Sequence, residues 1–384
     1  MGSDAPASGF DDYRRRRTFG SLDGVRCIAI VAVIWHHSIG SDIAFFARGY
    51  LGVDLFFVLS GYLIVTLLLR ERETRQRISL RDFYMRRSLR IFPVYYGLIL
   101  ALGLLYLIRP AFNGSDAYWS DLPFFLTYTS NWVHVATPNM SVVWSLAAEE
   151  QFYLVWPAIE KFLPQAGVWI VLALGLLLNQ AINYGLLDDA WRSAFGVEPD
   201  LHILDSTFTP ILLGVLLAHL LHRPAGFRLI ESITAPRWSP IAWGAGLLAL
   251  VAFAPSDISG WPRMAIQLLM FVWLASVVVR EDHLLARVLG WWPVAWIGAI
   301  SYGMYLFHMF AIHIARELIE RVSVLQFNGS LFLLSLPVTI LIAAVSFRFY
   351  ESPFLRLKHR FAWQGKPGSD PAAHRKTPDT GSGA

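Results

Sequence analysis

Apolar residues in this chain come in long blocks separated by short polar connections. Predominantly apolar runs lie near 27–46, 50–69, 91–108, 142–162, 167–185, 203–221, 239–254, 262–279, 294–315 and 329–347. Each approaches the ~20 residues that a helix needs to cross the hydrocarbon layer. The pattern predicts an all-α, polytopic integral membrane protein with about ten transmembrane helices. The fourth run is interrupted by Glu149 and Glu150. Residues 1–20 and 361–384 are polar and basic or rich in Gly, Pro and Ser, and are expected as disordered tails on one membrane unit, 21–360. The two longest outward connections are 109–141 and about 186–202. The first is dense in aromatics and reads either as an interfacial belt or as a platform for a polar, ring-shaped substrate.

Composition agrees with a membrane protein. Of 384 residues only 16% are charged, against about a quarter in soluble domains. Basic residues then set an orientation, because cytoplasmic loops collect Lys and Arg. Arg14 to Arg17 precede the first run, the segment 70–90 holds eight arginines, and Arg356, Lys358 and Arg360 begin a basic tail. Arg48, Arg109, Arg192 and Arg263 are nearly alone in the intervening loops. An even number of spans with both termini in the cytoplasm fits this asymmetry. Arg14–Arg17 resemble the start of a signal peptide, but no small-residue cleavage pattern follows and the next span begins within a few residues. Cys27 is the only cysteine, which excludes an internal disulfide and a CxxC site. No HExxH, no His–Cys–carboxylate cluster and no GxxxxGK[ST] loop occurs, so neither a metal nor a nucleotide-hydrolase phosphate loop is expected. The partners expected include the lipid bilayer and no nucleic acid.

Ionisable groups within spans carry the candidate chemistry, since a bilayer keeps them at a cost. "CIAIVAVIWHHSIG" (27–40) places His36 and His37 near the middle of the first run. Arg26 lies eleven residues before His37; on a helix the two share a face, ~16 Å apart. Spacing alone leaves both histidines open. Glu149, in "VVWSLAAEEQFYLVWPAI" (142–159), is expected at ~12 Å depth, close to His37. A His–Glu pair would make a general base with its orienting group. Asp54 is a third polar group, in the outer half of the second run. Arg87 and Arg90, at i and i+3 where the third run begins, could grip a phosphate in fork geometry. "ISYGMYLFHMF" (300–310) adds Tyr302 and His308. An ion-coupled transporter using His37 and Glu149 as a proton relay is the alternative class, although no internal repeat supports it.

Taken together, these stretches resemble the membrane-bound acyltransferase-3 family. The matching pieces are "LDGVRCIAIVAVIWHH" (22–37), "GVDLFFVLSGYLI" (52–64), "RRSLRIFPVYY" (86–96), "WSLAAEEQFYLVWP" (144–157), "ISYGMYLFH" (300–308) and "YESPF" (350–354), in the family's order. The resemblance implies transfer of an acyl group, on family grounds acetyl, from cytoplasmic acyl-coenzyme A to a carbohydrate or glycoconjugate hydroxyl beyond the membrane. Acyl-CoA would be a co-substrate, with no permanently bound cofactor. The family's arginine–ten residues–histidine pattern falls on Arg26 and His37, and so favours His37. Its RxxR pattern falls on Arg87 and Arg90, and its glutamate on Glu149. On this reading Arg26, Arg87 and Arg90 hold the donor phosphates. His37, oriented by Glu149 or Asp54, acts as general base or acyl relay. Ser60, Tyr302 and His308 are candidate substrate or oxyanion contacts. A stand-alone form in a bacterial inner membrane is expected.

Overall fold

The computed structural model describes residues 9–16, 18–39, 47–195, 208–322, 325–327 and 329–361. Among them helices are joined by turns and no strand occurs. In chain order they are α1 (Gly9–Arg15), α2 (Leu22–Ser38), α3 (Leu51–Arg75), α4 (Leu80–Ile108), α5 (Ser115–Leu126), α6 (Trp144–Phe162) and α7 (Gln165–Asn183). Then come α8 (Asp188–Phe195), α9 (Thr209–Leu221), α10 (Pro224–Thr234), α11 (Ser239–Phe253), α12 (Trp261–Val279) and α13 (Ala286–Leu289). The chain continues through α14 (Trp292–Ala299), α15 (Ser301–Arg321) and α16 (Ser330–Val345), a π-helical turn (Ser346–Glu351) and α17 (Ser352–Leu357).

Local chemistry marks several boundaries. Proline opens α9, α10, α11, α12 and α14, where its missing N–H has no helical partner to lose. The Ser79 hydroxyl accepts a hydrogen bond from the Asp82 N–H and caps α4. Five helical stretches are long and apolar enough to cross a membrane, and two bent pairs raise the number to seven. The protein is therefore a multi-pass membrane protein. One expected span is not straight: the 294–315 run breaks at Ile300, and α14 and α15 meet at 76°. Gly298 of α14 lies against the Asp23 carbonyl of α2, with no room for a side chain.

The α3 helix sits at the centre, with 78% of its apolar window buried, against 17% for α7 and 22% for the stretch containing α16. The outer helices turn bare Leu side chains outward, among them Leu100, Leu107, Leu177 and Leu341. Hydrocarbon accepts such surfaces, so association here rests on close fit and internal polar contacts. A close, reciprocal fit joins α3 to α9. A Cβ at Gly61 would strike the Ile211 carbonyl, and one at Gly214 would strike the Val58 carbonyl. Arg48 is also held by backbone: its guanidinium donates to the carbonyls of Val251 (2.5 Å), Ala254 (2.9 Å) and Pro255 at the end of α11. A cation there complements the helix dipole.

Part of the expected N-terminal tail is ordered structure. Residues 9–15 form α1, and Tyr13 is buried with its hydroxyl 3.0 Å from that of Tyr62. The apolar Tyr13 ring finds cover against Phe19 and Phe227, which a free tail could not provide. The expected tail residues 1–8 and 362–384 lie outside the described residues.

The glycine contact yields a stability prediction. Gly61→Val should destabilise the solubilised protein by about 1–3 kcal/mol through overpacking, lowering its unfolding temperature in a fluorescence-detected thermal assay. Gly246→Ala, where the added methyl meets nothing within 4 Å, should not lower it.

Candidate functional site

One uninterrupted helix, α2, carries both Arg26 and His37. Eleven residues of rise separate them by ~16 Å, and each opens into a different cavity. At one end, a narrow cavity of about 100 Å³ is lined by Arg26, Arg87, Arg90, Ser60, Glu149, Tyr153 and Tyr302. At the other, a cavity of about 460 Å³ is lined by His36, His37, Tyr50, Asp54, Ser130, Asn131, His134, Trp144 and Arg263. Val53 and Tyr305 line both. The Tyr305 hydroxyl is tied to Ser145 Oγ (2.6 Å) and donates to the Val142 carbonyl (3.0 Å), so this shared wall is anchored to the start of α6.

The first cavity is built for anions. Arg26 pairs with Asp23 on its own helix. Arg87 stacks its guanidinium over the Tyr153 ring at 5.1 Å. Neither Arg87 nor Arg90 forms an ion pair among the described residues. The facing carboxylate, Glu149, accepts a hydrogen bond from Ser60 (2.5 Å), and Ser60 in turn accepts one from Tyr153 (3.0 Å). Three guanidinium groups thus line a cavity to which Glu149 contributes the one lining carboxylate.

The second cavity is built around imidazoles. His37 Nδ1 lies 2.9 Å from the Val33 carbonyl, and His36 Nδ1 lies 2.6 Å from the Ala47 carbonyl. A carbonyl can only accept, so in each ring Nδ1 carries a hydrogen, and in the neutral form the lone pair lies on Nε2. The His308 ring lies 5.0 Å from that of His37, fully buried, with Nδ1 2.6 Å from the Tyr305 carbonyl. Asp54 is held by Gln267 Nε2 at 3.0 Å and lies 3.7 Å from Arg263. The segment after α5 forms one wall. Asp121 pins it by accepting from the Ala136 and Thr137 N–H groups and the Thr137 hydroxyl, at 3.0, 2.8 and 2.7 Å. Gln151 holds it from α6 by donating to Asn131 Oδ1 at 2.7 Å and the Tyr128 carbonyl at 2.8 Å.

Several sequence expectations change in this geometry. His37 and Glu149, expected as a pair at one depth, lie in different cavities. The register explains it: Trp144, the first residue of α6, stands at the histidine cavity, and Glu149 follows about 7.5 Å further along the axis. Its partner Ser60 lies a similar distance beyond Asp54 on α3. Asp54 does share the histidine cavity, but the group that fixes His37 is the Val33 carbonyl one turn back, not a carboxylate. Ser60 and Tyr302, expected as oxyanion donors, line the arginine cavity, with their hydrogens committed to Glu149 and to the Ile91 carbonyl (3.0 Å). His308 packs on His37 and lines neither cavity. The aromatics of 112–140 divide: Tyr118, Phe125 and Tyr128 are buried against α4, whereas Trp119 and Trp132 are exposed. The part of 186–202 from 196 onward lies outside the described residues.

Other polar residues were missed. Tyr305 is an ordinary aromatic in a helical pattern, and only tertiary packing puts it between two cavities. His219 was hidden in the 165–290 region that reads only as hydrophobic. It is buried 2.7 Å from Glu160, which also accepts from Trp156 (3.1 Å). An intramembrane histidine in "LLAHLLH" was the available signal.

Comparison with known proteins bears on this architecture. An acyltransferase-domain family model, that of acyltransferase-3, matches residues 19–348. The chain belongs to this family. The peptidoglycan O-acetyltransferase OatA of Listeria monocytogenes is 30% identical, over 92% of this chain and 60% of that protein. A putative O-acetyltransferase of Staphylococcus aureus is 29% identical over 90% of this chain and 59% of that protein. The O-acetyltransferase OatA of S. aureus is 28% identical over 88% of this chain and 57% of its own length. The chain thus spans about 60% of the length of these curated relatives. No solved structure matches it. The acyltransferase-3 match includes both cavities and every candidate residue named above.

Proposed function

We propose that this protein is a membrane-embedded O-acyltransferase. It moves an acyl group, acetyl in keeping with the names of its relatives, from acyl-coenzyme A to a hydroxyl of a carbohydrate or glycoconjugate. The observation that carries the proposal is the pair of cavities on α2, one cationic and one histidine-lined, meeting at Val53 and Tyr305. A transferase with a phosphate-bearing donor and a polar acceptor needs such a division. The ten apolar runs are taken as ten spans. The arginine-rich segment 70–90 supports placing the Arg26 end, and both termini, in the cytoplasm. The bacterial relatives support a bacterial plasma membrane. The peptidoglycan in the name of the Listeria protein supports a cell-envelope glycan as the acceptor class.

In this scheme Arg26, Arg87 and Arg90 hold the donor phosphates at the mouth of the narrow cavity. Only the thin pantetheine arm enters it, which suits its volume of about 100 Å³. The thioester carbonyl reaches the Val53–Tyr305 wall. The acceptor occupies the wider cavity, where polar and aromatic side chains suit a sugar. His37 Nε2 takes the proton of the acceptor hydroxyl as its oxygen attacks the thioester carbon. The C–S bond breaks, and the proton passes from His37 to the departing thiolate. Asp54 and Arg263 lie on the acceptor side and orient that substrate.

Three outcomes test the scheme with purified protein, acyl-CoA and a glycan acceptor. His37→Ala should lower transfer at least about a hundredfold, the scale of a lost general base, with normal expression and membrane insertion, whereas His36→Ala should do much less. The reverse order would move the role to His36.

Arg87→Lys with Arg90→Lys should raise the KM for acyl-CoA more than it lowers kcat, because a point charge does not reproduce a planar fork. An unchanged KM would remove these arginines from donor binding.

Glu149→Gln keeps an acceptor for Ser60 and removes the charge. Since Glu149 does not touch His37, the acid limb of the pH–rate profile should stay in place while the affinity for the anionic donor rises or holds. A displaced acid limb would join Glu149 to the base after all.

A further inference from the structure

A third cavity, of about 580 Å³, opens between α1, α3 and α9. Arg14, Arg15, Arg16 and Arg70 line it with His222, against one carboxylate, Glu73. Arg14 and His222 both turn to Glu73, at 2.7 and 2.9 Å. Arg15 reaches Asp12 at 3.4 Å between largely exposed side chains, a contact of small energetic weight. Among the described residues Arg16 and Arg70 hydrogen-bond only to carbonyls: Arg16 to Val278 (3.0 Å), and Arg70 to Arg16 (2.6 Å) and Tyr13 (3.3 Å). Carbonyls aim a guanidinium without neutralising it. The Arg70 guanidinium is further fixed over the Phe19 ring at 5.1 Å. Arg16 and Arg70 are therefore held in place with no carboxylate partner among the described residues, and Glu73 is shared between Arg14 and His222.

This cavity shares no residue with the arginine cavity of the candidate site. The two lie at different levels of α3, Phe57 and Ser60 lining one and Thr66, Arg70, Glu73 and Thr74 the other. Its wall also includes Leu67, which is 52% exposed on the apolar length of α3. Arginines together with an exposed leucine match a phosphate carried on an apolar body.

We propose that this cavity binds a phosphate group, separately from the donor-phosphate arginines. The phosphate is carried by an anionic phospholipid headgroup or by a soluble phosphate, and Leu67 favours the lipid. The proposal uses no residue of the transfer scheme and stands or falls apart from it.

The test is native mass spectrometry of the full chain in detergent, titrated with phosphatidylglycerol, phosphatidylcholine and inorganic pyrophosphate in separate arms. Phosphatidylglycerol should remain bound where phosphatidylcholine does not. Arg15→Gln with Arg16→Gln should weaken it by roughly fivefold per arginine removed. Glu73→Gln should tighten it several-fold, a gain that misfolding cannot imitate. If pyrophosphate responds to these variants and the lipid does not, the cavity serves a soluble phosphate and the proposal holds with that source. Equal retention of the two lipids with no response to pyrophosphate, or affinities unmoved by both variants, would overturn it.

Discussion

A buried polar group in hydrocarbon has no water to turn to, so each must find its partner inside the protein. The interior of this bundle is organised by that constraint. Asp54 takes its hydrogen bond from Gln267, Glu149 from Ser60, and Glu160 from Trp156, with His219 alongside. Each set ties one helix to another: α3 to α12, α3 to α6, and α6 to α9. Polar contacts therefore fix the relative register of helices whose outer surfaces are interchangeable in lipid.

Backbone carbonyls supply many of the remaining partners. Arg48 is spread over three of them, and the rings of His36, His37 and His308 each rest on one. A carbonyl orients a donor without adding charge. For the histidines this fixes the tautomer and leaves Nε2 as the basic nitrogen, with no buried carboxylate needed beside it. The structure thus separates two features that a His–carboxylate pair would combine, an oriented imidazole in one cavity and a carboxylate in the other.

The central α3 makes that separation possible. Along its length it presents Asp54 to the histidine cavity, Ser60 to the arginine cavity and Arg70 with Glu73 to the third. Its close approach to α9 depends on Gly61 and Gly214, and Tyr62 between them bonds Tyr13 of α1. All three cavities thus share one helix as a wall.

The sequence by itself determined the all-helical membrane character, the placement of the apolar runs, and the Arg26–His37 relation, because each depends only on local composition or on the fixed rise and turn of a helix. The motif order likewise pointed to the family. Tertiary structure decided which polar groups meet. Depth estimates put Glu149 beside His37 because the 27–46 run set His37 near mid-span, whereas α2 ends at Ser38 and His37 lies in its last turn. The break at Ile300, the packing of α1 and the position of Tyr305 between two cavities arise from contacts between segments far apart in the chain. Hydrophobicity is the same on many faces of these helices, so no periodicity in the sequence could select them.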